Sequence, residues 1–394
     1  MSGTSLDGVD AALLEVAGAT AAEARCRLLA FVTLPYAEER RERLLRAAEG
    51  RARTPEICRL HYDLGEWLAE AVKALLESAG PEGEAVAAIG SHGQTVWHEP
   101  PTSEAAGATL QIGSPAILAE RTGIPVVSDL RARDVAAGGH GAPLVPLADR
   151  ILFSAPDRRR ALQNLGGIAN VTLLPERGSD EALLALDTGP GVALLDAAAR
   201  AATDGALRYD EEGELAAAGE VDDALLDRLL ADPFFDEPPP RSTGRERFGA
   251  PLVERLADEM GLVPGRSGEG WPDLLATLVA FTARSVADAY GRWVVPRGVD
   301  EAFLTGGGAR NPALAQAIRR ELAPLPVHAA ESLDVPADAR EAAAFAVLAW
   351  AHLRGVAGNV PEATGARGGR VLGSFTPGSA GSEPGGPASA PGGP

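Results

Sequence analysis

The chain has 394 residues and is 45% hydrophobic, enough for more than one core, because single cores stop growing at roughly 250 to 300 residues. Its 36 Lys and Arg against 55 Asp and Glu give a formal charge of -19, which argues against nucleic acid or an anionic membrane as a partner. No apolar run reaches the roughly 20 residues of a spanning helix, and Cys26 and Cys58 form no CxxC pair, so we expect a cytoplasmic protein without a disulfide framework.

The first ten residues combine glycine, hydroxyl and carboxylate groups ahead of the first strand. Their two glycines let backbone N–H groups approach an anion, and Thr4 and Ser5 add hydroxyl donors. The carboxylates of Asp7 and Asp10 suit a magnesium ion. This composition favours a phosphate-binding loop, with a tight surface turn as the alternative.

Strands and helices alternate in the first part of the chain. Short apolar stretches predict strands, and apolar residues at three- and four-residue spacing predict helices. The predicted strands are 11–15, 27–33, 85–90 and 123–129, and the predicted helices are 38–48 and 60–79. This alternation is typical of an α/β domain with a largely parallel sheet, which we assign to residues 1–146.

A second α/β domain is predicted over residues 147–377, beginning with a hairpin at a Gly-Gly turn. The predicted strands are 161–165, 170–174, 183–186 and 301–304, and the predicted helices are 192–202, 222–230, 271–293, 312–322 and 341–353. Residues 378–394 consist of Gly, Pro, Ser and Ala with a single charge, so we predict a disordered tail.

Glycine-rich polar turns stand at four strand ends, in segments 1–10, 163–170, 187–191 and 305–311. Ligands of open α/β sheets bind outside the carboxyl ends of strands, so four such turns favour a nucleotide in an interdomain cleft. The triple glycine suits close approach of adenosine. The candidate nucleotide contacts in the later turns are Gly166, Gly167, Gly306, Gly307 and Gly308.

Asp187 follows an apolar strand and precedes a Thr-Gly-Pro-Gly turn that begins a helix. A carboxylate in this position is held rigidly and is partly desolvated, which suits a general base. A helix N-cap is the equal alternative on local sequence. The basic segment 239–247 is either a loop over the nucleotide or an ordinary loop, and an ordinary loop is favoured.

Two polar clusters could contact a polyhydroxylated or anionic ligand. His92 and Gln94 lie at a strand end, where a hydrogen-bonded structural histidine is the commoner outcome. Arg131 and Asp134 precede a Gly-Gly turn and could bind a carboxylate or phosphate, with a surface charge cluster as the alternative.

Eight segments carry a resemblance to a known family. They are MSGTSLDGVD at 1–10, IGSHGQTVWHEP at 89–100, QIGSPA at 111–116, DLRARDVAAGGHGAPLVP at 129–146, QNLGGIANVTLL at 163–174, LDTGPGVALLD at 186–196, RSTGRERF at 241–248 and LTGGGARNPAL at 304–314. Together they resemble the motifs of bacterial anhydro-N-acetylmuramic acid kinases, which belong to the sugar kinase, heat-shock ATPase and actin superfamily. The resemblance covers residues 1 to about 377.

The resemblance implies two actin-like, ribonuclease H-like domains around an interdomain cleft. It also implies ATP and Mg2+ as cofactors and an amino sugar from cell-wall recycling as substrate. Such enzymes open the 1,6-anhydro ring of 1,6-anhydro-N-acetylmuramic acid with water and phosphorylate O6, giving N-acetylmuramic acid 6-phosphate. By the same resemblance, Asp187 is the base and Asp7 holds magnesium through water. The implied phosphate contacts are Gly3, Thr4, Ser5, Leu6, Asp7, Gly8, Val9 and Asp10, and the implied sugar contacts are His92, Gln94, Arg131, Asp134 and Glu341.

The chain also departs from the family pattern. The family usually has a short apolar strand ahead of MSGTS, so we expect a truncated first strand. Val192, His140 and Arg340 stand where the family has Asn, Gln and Met. The alternative hypothesis is therefore a catalytically impaired sugar- or nucleotide-binding homologue with a regulatory role. The sequence leaves open whether the protein forms a homodimer.

Overall fold

A computed structural model describes residues 1–3, 6–83, 85–102, 105–179, 181–239, 241–333 and 335–379. The strands in these ranges are β1 Gly8–Ala17, β2 Arg25–Pro35, β3 Ile89–Gly90, β4 Gln94–Glu99, β5 Ala108–Ile112, β6 Val126–Ser128, β7 Arg160–Leu165, β8 Ile168–Leu174, β9 Leu184–Pro190, β10 Glu301–Thr305, β11 Val327–Ala329 and β12 Ser374–Thr376. The α-helices are α1 Glu38–Ala48, α2 Thr54–Ala79, α3 Pro115–Thr122, α4 Ala132–Ala136, α5 Val145–Phe153, α6 Ala193–Ala202, α7 Glu214–Ala217, α8 Asp223–Leu230, α9 Ala250–Met260, α10 Trp271–Ala289, α11 Pro312–Leu322, α12 Arg340–Arg354 and α13 Pro361–Thr364. The α/β class predicted from the alternation of strands and helices is confirmed. None of the helices described is both long and apolar enough to cross a membrane.

The chain divides into two compact units. The first combines Met1–Leu152 with the segment from Ala339 onward, and the second is Phe153–Asp338. The chain returns to the first unit through α12, which packs against β1 and β3. This differs from the expected division at residue 146, because apolar periodicity does not show which sheet a helix covers. From residue 380 on, the tail predicted to be disordered lies outside the described residues.

The first unit holds its strands in separate small sheets. β1 and β2 form an antiparallel hairpin, and β3, β6 and β12 form a second sheet in the order β12-β6-β3. A further hairpin, β4–β5, was not predicted. The strand predicted over 85–90 is reduced to Ile89–Gly90, because in the described chain β3 has a hydrogen-bonded neighbour on one edge only.

The second unit contains one five-stranded sheet in the order β11-β10-β7-β8-β9. β10 is parallel to β7 and β11, while β8 is antiparallel to both β7 and β9. The carboxyl ends of β7, β9 and β10 therefore lie at one edge of the sheet. The predicted β7–β8 hairpin is confirmed. The helix predicted over 271–293 is α-helical to Ala289 and continues as a π-turn through Val294.

Candidate active site

Two of the predicted strand-end turns follow β7 and β10 at one edge of the second-unit sheet, whereas most of the third, 187–191, lies within β9, because that strand continues past its predicted end at residue 186 to Pro190. Thr305 of β10 pairs with Asn164 of β7, and Asp187 of β9 pairs with Asn170 of β8, which on its other side pairs with Asn164. A Cβ on Gly308 would lie 2.6 Å from Cγ1 of Val192, so glycine allows the turn after β10 to pack against the start of α6. The sheet thus brings together Asp187 and both later glycine turns.

Asp187 is held at its main chain and at its side chain by the segment 241–243. The N–H of Thr243 donates to Oδ2 of Asp187 at 2.8 Å, and Nε of Arg241 donates to the Asp187 carbonyl oxygen at 3.0 Å. No described residue donates to Oδ1. Burial raises the pKa of Asp187, while the Thr243 N–H and the Arg241 charge oppose that shift. The result is a fixed, partly desolvated carboxylate with one free oxygen, as a general base requires.

Arg241 anchors the segment that contacts Asp187. Its side chain is buried, and Nη1 donates to the carbonyl oxygens of Phe234, Phe235 and Glu237 at 3.0 to 3.3 Å. The guanidinium also lies over the Phe234 ring, 4.7 Å from its centroid. Sequence reasoning missed this role by favouring an ordinary loop, although a basic segment in an acidic chain was the available signal.

Arg245 lies beside the turn after β7, and sequence reasoning missed it too. A Cβ on Gly167 would lie 2.9 Å from Nε of Arg245. The carbonyl oxygens of Gly166 and Gly167 accept hydrogen bonds from the start of α6, whereas no described residue accepts from their own N–H groups. Burial raises the pKa of nearby Asp196, and the Arg200 and Arg245 charges oppose that shift. Two free N–H groups beside a guanidinium fit a phosphate group.

The three glycines after β10 differ in their surroundings. Gly306 has a φ of 80°, and a Cβ there would lie 2.5 Å from Oδ1 of Asn164. Gly306 and Gly308 are therefore required by packing within the turn. Gly307 faces open space, since no described atom lies within 4 Å of a Cβ built there. Of the three glycines, Gly307 is the one a ligand can approach.

The predicted phosphate loop packs against the β1–β2 hairpin of the first unit. The N–H of Leu6 donates to the Gly3 carbonyl oxygen at 3.3 Å, and the side chains of Leu6 and Val9 are buried. A Cβ on Gly8 would lie 2.5 Å from a carbonyl oxygen of β2, so this glycine permits close strand pairing. Leu6 and Val9 can therefore offer a ligand only their main chain.

The carboxylates of this loop differ in their surroundings. Asp7 is exposed, whereas Oδ1 of Asp10 accepts a hydrogen bond from Thr33 Oγ1 at 2.7 Å. Thr4 and Ser5 lie outside the described residues. The described chain contains no group of three or more His, Cys, Asp or Glu that could hold a metal ion. One exposed carboxylate nevertheless fits magnesium, which usually keeps several water and phosphate ligands.

His92 and Gln94 are buried, and their polar atoms bond within the protein. Nε2 of His92 accepts from Nε of Arg131 at 3.0 Å, and Nδ1 lies 3.1 Å from the carbonyl oxygen of the next residue. Burial, aided by the Arg131 charge, lowers the pKa of His92 to about 3, so the ring is neutral. Oε1 of Gln94 accepts from Ser2 Oγ at 2.5 Å. Both side chains therefore position their neighbours.

Asp134 is fully buried and all its hydrogen-bond partners are protein groups. Oδ1 accepts from Asn359 Nδ2 at 2.7 Å and from Thr364 Oγ1 at 2.8 Å. Oδ2 accepts from the N–H of Gly141 at 2.8 Å. The carboxylate thus joins α4 to the turn that follows it and to the segment around α13. These contacts support a structural role for Asp134, and its predicted contact with the sugar stays a prediction.

Among the predicted sugar contacts, Arg131 and Glu341 have polar side-chain atoms that a ligand could still contact. Nη1 of Arg131 donates to a main-chain oxygen, but no described residue accepts from Nη2. Burial lowers the pKa of Arg131, and the Glu341 charge opposes that shift. Glu341 is exposed at the start of α12. Its neighbour Arg340 binds the buried Asp149 through two hydrogen bonds, of 2.8 and 2.5 Å, which fixes this end of the helix.

The same residues lie within a chain-long similarity to known proteins. The family model described as anhydro-N-acetylmuramic acid kinase matches residues 1–378. The chain belongs to the anhydro-N-acetylmuramic acid kinase family. A family member from Gloeobacter violaceus is 46% identical over 378 residues, covering 96% of this chain and 97% of its own. One from Caldanaerobacter subterraneus is 43% identical over 382 residues, covering 95% of each chain.

Proposed function

We propose that this chain is an ATP-dependent kinase that opens the 1,6-anhydro ring of 1,6-anhydro-N-acetylmuramic acid and phosphorylates O6. Membership of the family over residues 1–378 carries the proposal. The surroundings of Asp187 support it, because the reaction needs a base that can activate water. The product is N-acetylmuramic acid 6-phosphate, and the cytoplasm, where ATP is available, is the expected location.

Asp187 is the base of the proposed reaction. Its free Oδ1 takes a proton from water as the water oxygen attacks C1 of the sugar. The C1–O6 bond breaks, its electron pair goes to O6, and O6 attacks the γ-phosphoryl group, with ADP leaving. The Thr243 N–H holds the carboxylate of Asp187, and Arg241 holds its main-chain carbonyl oxygen. Burial, which raises the pKa of Asp187, also makes it a stronger base than an ordinary aspartate.

The remaining candidate residues divide between the cofactors and the sugar. Bound ATP supplies the phosphoryl group, and a magnesium ion offsets its charge. The free N–H groups of Gly166 and Gly167, together with Arg245, suit phosphate oxygens. Asp7 would hold magnesium through water. Two further residues suit the sugar, Arg131 for its carboxylate and Glu341 for its hydroxyl groups.

Isotope labelling tests the proposal directly. The purified chain is incubated with the anhydrosugar, ATP and magnesium in 18O-labelled water, and the product is analysed by mass spectrometry. We expect a sugar phosphate with the label at C1 and the phosphate at O6. N-acetylmuramic acid 6-phosphate in the same labelled water controls for spontaneous exchange at C1. A phosphorylated product without label would contradict hydrolytic ring opening, and ATP binding without any product would favour the impaired homologue.

A further inference from the structure

Two guanidinium groups of the second unit donate to the same carbonyl oxygen. Nη1 of Arg241 lies 3.0 Å from the Phe235 oxygen, and Nη1 of Arg292 lies 3.2 Å from it. Arg241 is buried, and Arg292 belongs to the π-turn that continues α10. Two positive charges that converge on one atom repel each other, so this arrangement requires a carboxylate beside them.

Asp288, near the end of α10, supplies that carboxylate. Its Oδ1 accepts a hydrogen bond from Nε of Arg292 at 2.9 Å. Its Oδ2 is buried, and no described residue donates to it. Nη2 of Arg241 is buried as well, and no described residue accepts from it. Buried polar atoms without partners cost free energy, so an acceptor and a donor of opposite charge in one cluster indicate a pair.

The charges that act on Arg241 support this pairing. Burial lowers the pKa of Arg241, and the Asp288 charge is the strongest of those that oppose the shift. The charges of Glu237 and Asp187 oppose it less, and the Arg292 charge adds to it. Asp288 is therefore the main counter-charge of this buried guanidinium, and a buried charge that loses its partner destabilises its surroundings.

Arg241 connects this charge cluster to Asp187. Its Nε donates to the Asp187 carbonyl oxygen at 3.0 Å, and the Asp187 N–H donates to the Arg241 carbonyl oxygen at 3.3 Å. Two residues further along the chain, the Thr243 N–H donates to Oδ2 of Asp187. A displaced Arg241 would therefore move both the main chain of Asp187 and the donor to its carboxylate.

We propose that Asp288 is a positioning residue for Asp187, which it holds in place through Arg241 as the counter-ion of the Arg241 guanidinium. This inference rests on the proposed function, in which Asp187 is the base. Asp288 itself bonds to no atom of Asp187. It keeps two like charges side by side, so that Arg241 retains its carbonyl partners and the carboxylate of the base retains its orientation.

Asp288→Asn tests this role, because asparagine keeps the shape of aspartate and removes its charge. The pH profile of kcat/KM is measured together with hydrogen exchange of a peptide covering 241–248. We expect kcat to fall and exchange to quicken, each by about tenfold. The acidic limb should move to higher pH, because a displaced Arg241 charge lowers the pKa of Asp187 less. An unchanged limb with unchanged exchange would overturn the proposal.

A second substitution separates the counter-ion role from simple packing. Arg292→Met in the Asp288→Asn chain removes one of the two like charges, so exchange should return to within about threefold of wild type and the acidic limb should move back. Asp258→Asn, at an exposed position on α9, is the matched control and should change neither readout. A double variant no closer to wild type than Asp288→Asn would overturn the proposal. Exchange needs no turnover, so a failure of the proposed function would appear separately, as a wild-type chain without activity in which the exchange pattern still holds.

Discussion

The two units differ in the continuity of their sheets and in what their polar residues do. In the second unit, one sheet brings the two glycine turns beside Asp187, and no described residue pairs with Oδ1 of Asp187 or with the Gly166 and Gly167 N–H groups. In the first unit, the strands belong to separate sheets, and His92 and Asp134 bond to other protein groups. A continuous sheet can hold a polar group by its main chain and leave the side chain to react. Where the sheet is interrupted, side chains take over part of the structural role.

The largest expected effect is on the free carboxylate of the second unit. Asp187→Asn removes the base but keeps an acceptor for the Thr243 N–H. We expect kcat to fall by about 10²- to 10⁴-fold while ATP affinity stays unchanged, because a base acts in the transition state. A coupled ADP-release assay and calorimetry with ATP measure the two quantities.

Asp227→Asn is the matched control for that change, since Asp227 is exposed on α8. It should leave both kcat and ATP affinity as they are. If Asp187→Asn retained more than about a tenth of wild-type kcat, Asp187 would not be the base.

The next largest effect is expected at the buried carboxylate of the first unit. Asp134→Ala would leave the Asn359, Thr364 and Gly141 donors without their acceptor. We expect the free energy of unfolding to fall by about 3 kcal/mol, measured by urea denaturation. Asp134→Asn, which keeps one acceptor oxygen, should lose less.

Glu120→Ala, at an exposed position on α3, provides the control for stability. The competing interpretation makes Asp134 a sugar contact. It requires Asp134→Ala to raise the KM for the anhydrosugar while leaving stability intact, and that result would contradict the structural role.

The sequence predicted features that depend on neighbouring residues and missed those that depend on distant ones. The β7–β8 hairpin follows from local apolar runs that stop at glycine, whereas β9 continues past its predicted end at residue 186 and so places Asp187 within the strand. The Arg241 contact joins residues 54 positions apart, so no local pattern reveals it. Nor does a sequence show whether the ring nitrogens of His92 form hydrogen bonds with other groups of the protein. Among the described strands, β3 has a hydrogen-bonded neighbour on one edge only, and local β-propensity does not report such a difference.

A smaller effect is expected on the pH dependence of kcat/KM. It should distinguish a role of Arg241 in positioning Asp187 from a role in overall stability alone. Its positive charge lowers the pKa of Asp187, and the base must be ionised to act. Rate therefore falls as pH drops through that pKa, and Arg241→Met should move the acidic limb of kcat/KM to higher pH. Arg241→Lys should keep the limb closer to its original position and lower kcat, because lysine cannot reach all the carbonyl partners.

Arg255→Met, an exposed change on α9, should alter neither the limb nor kcat. If the acidic limb of Arg241→Met matched that of the wild type, the Arg241 charge would not act on Asp187.

The smallest effect is expected at Val192, where the family usually has Asn. Cγ1 of Val192 packs against the turn at Gly308, and the Val192 N–H donates to the Gly166 carbonyl oxygen at 2.8 Å whatever the side chain. Val192→Asn would place an amide in this apolar contact and should lower the free energy of unfolding by about 1 kcal/mol. Because the main-chain bond remains, kcat/KM should stay within about threefold of wild type.

Val192→Thr, which keeps the branched shape, is the control. A rise of about tenfold or more in kcat/KM for Val192→Asn alone would instead mean that the family's amide contacts the ligand and that valine impairs this chain.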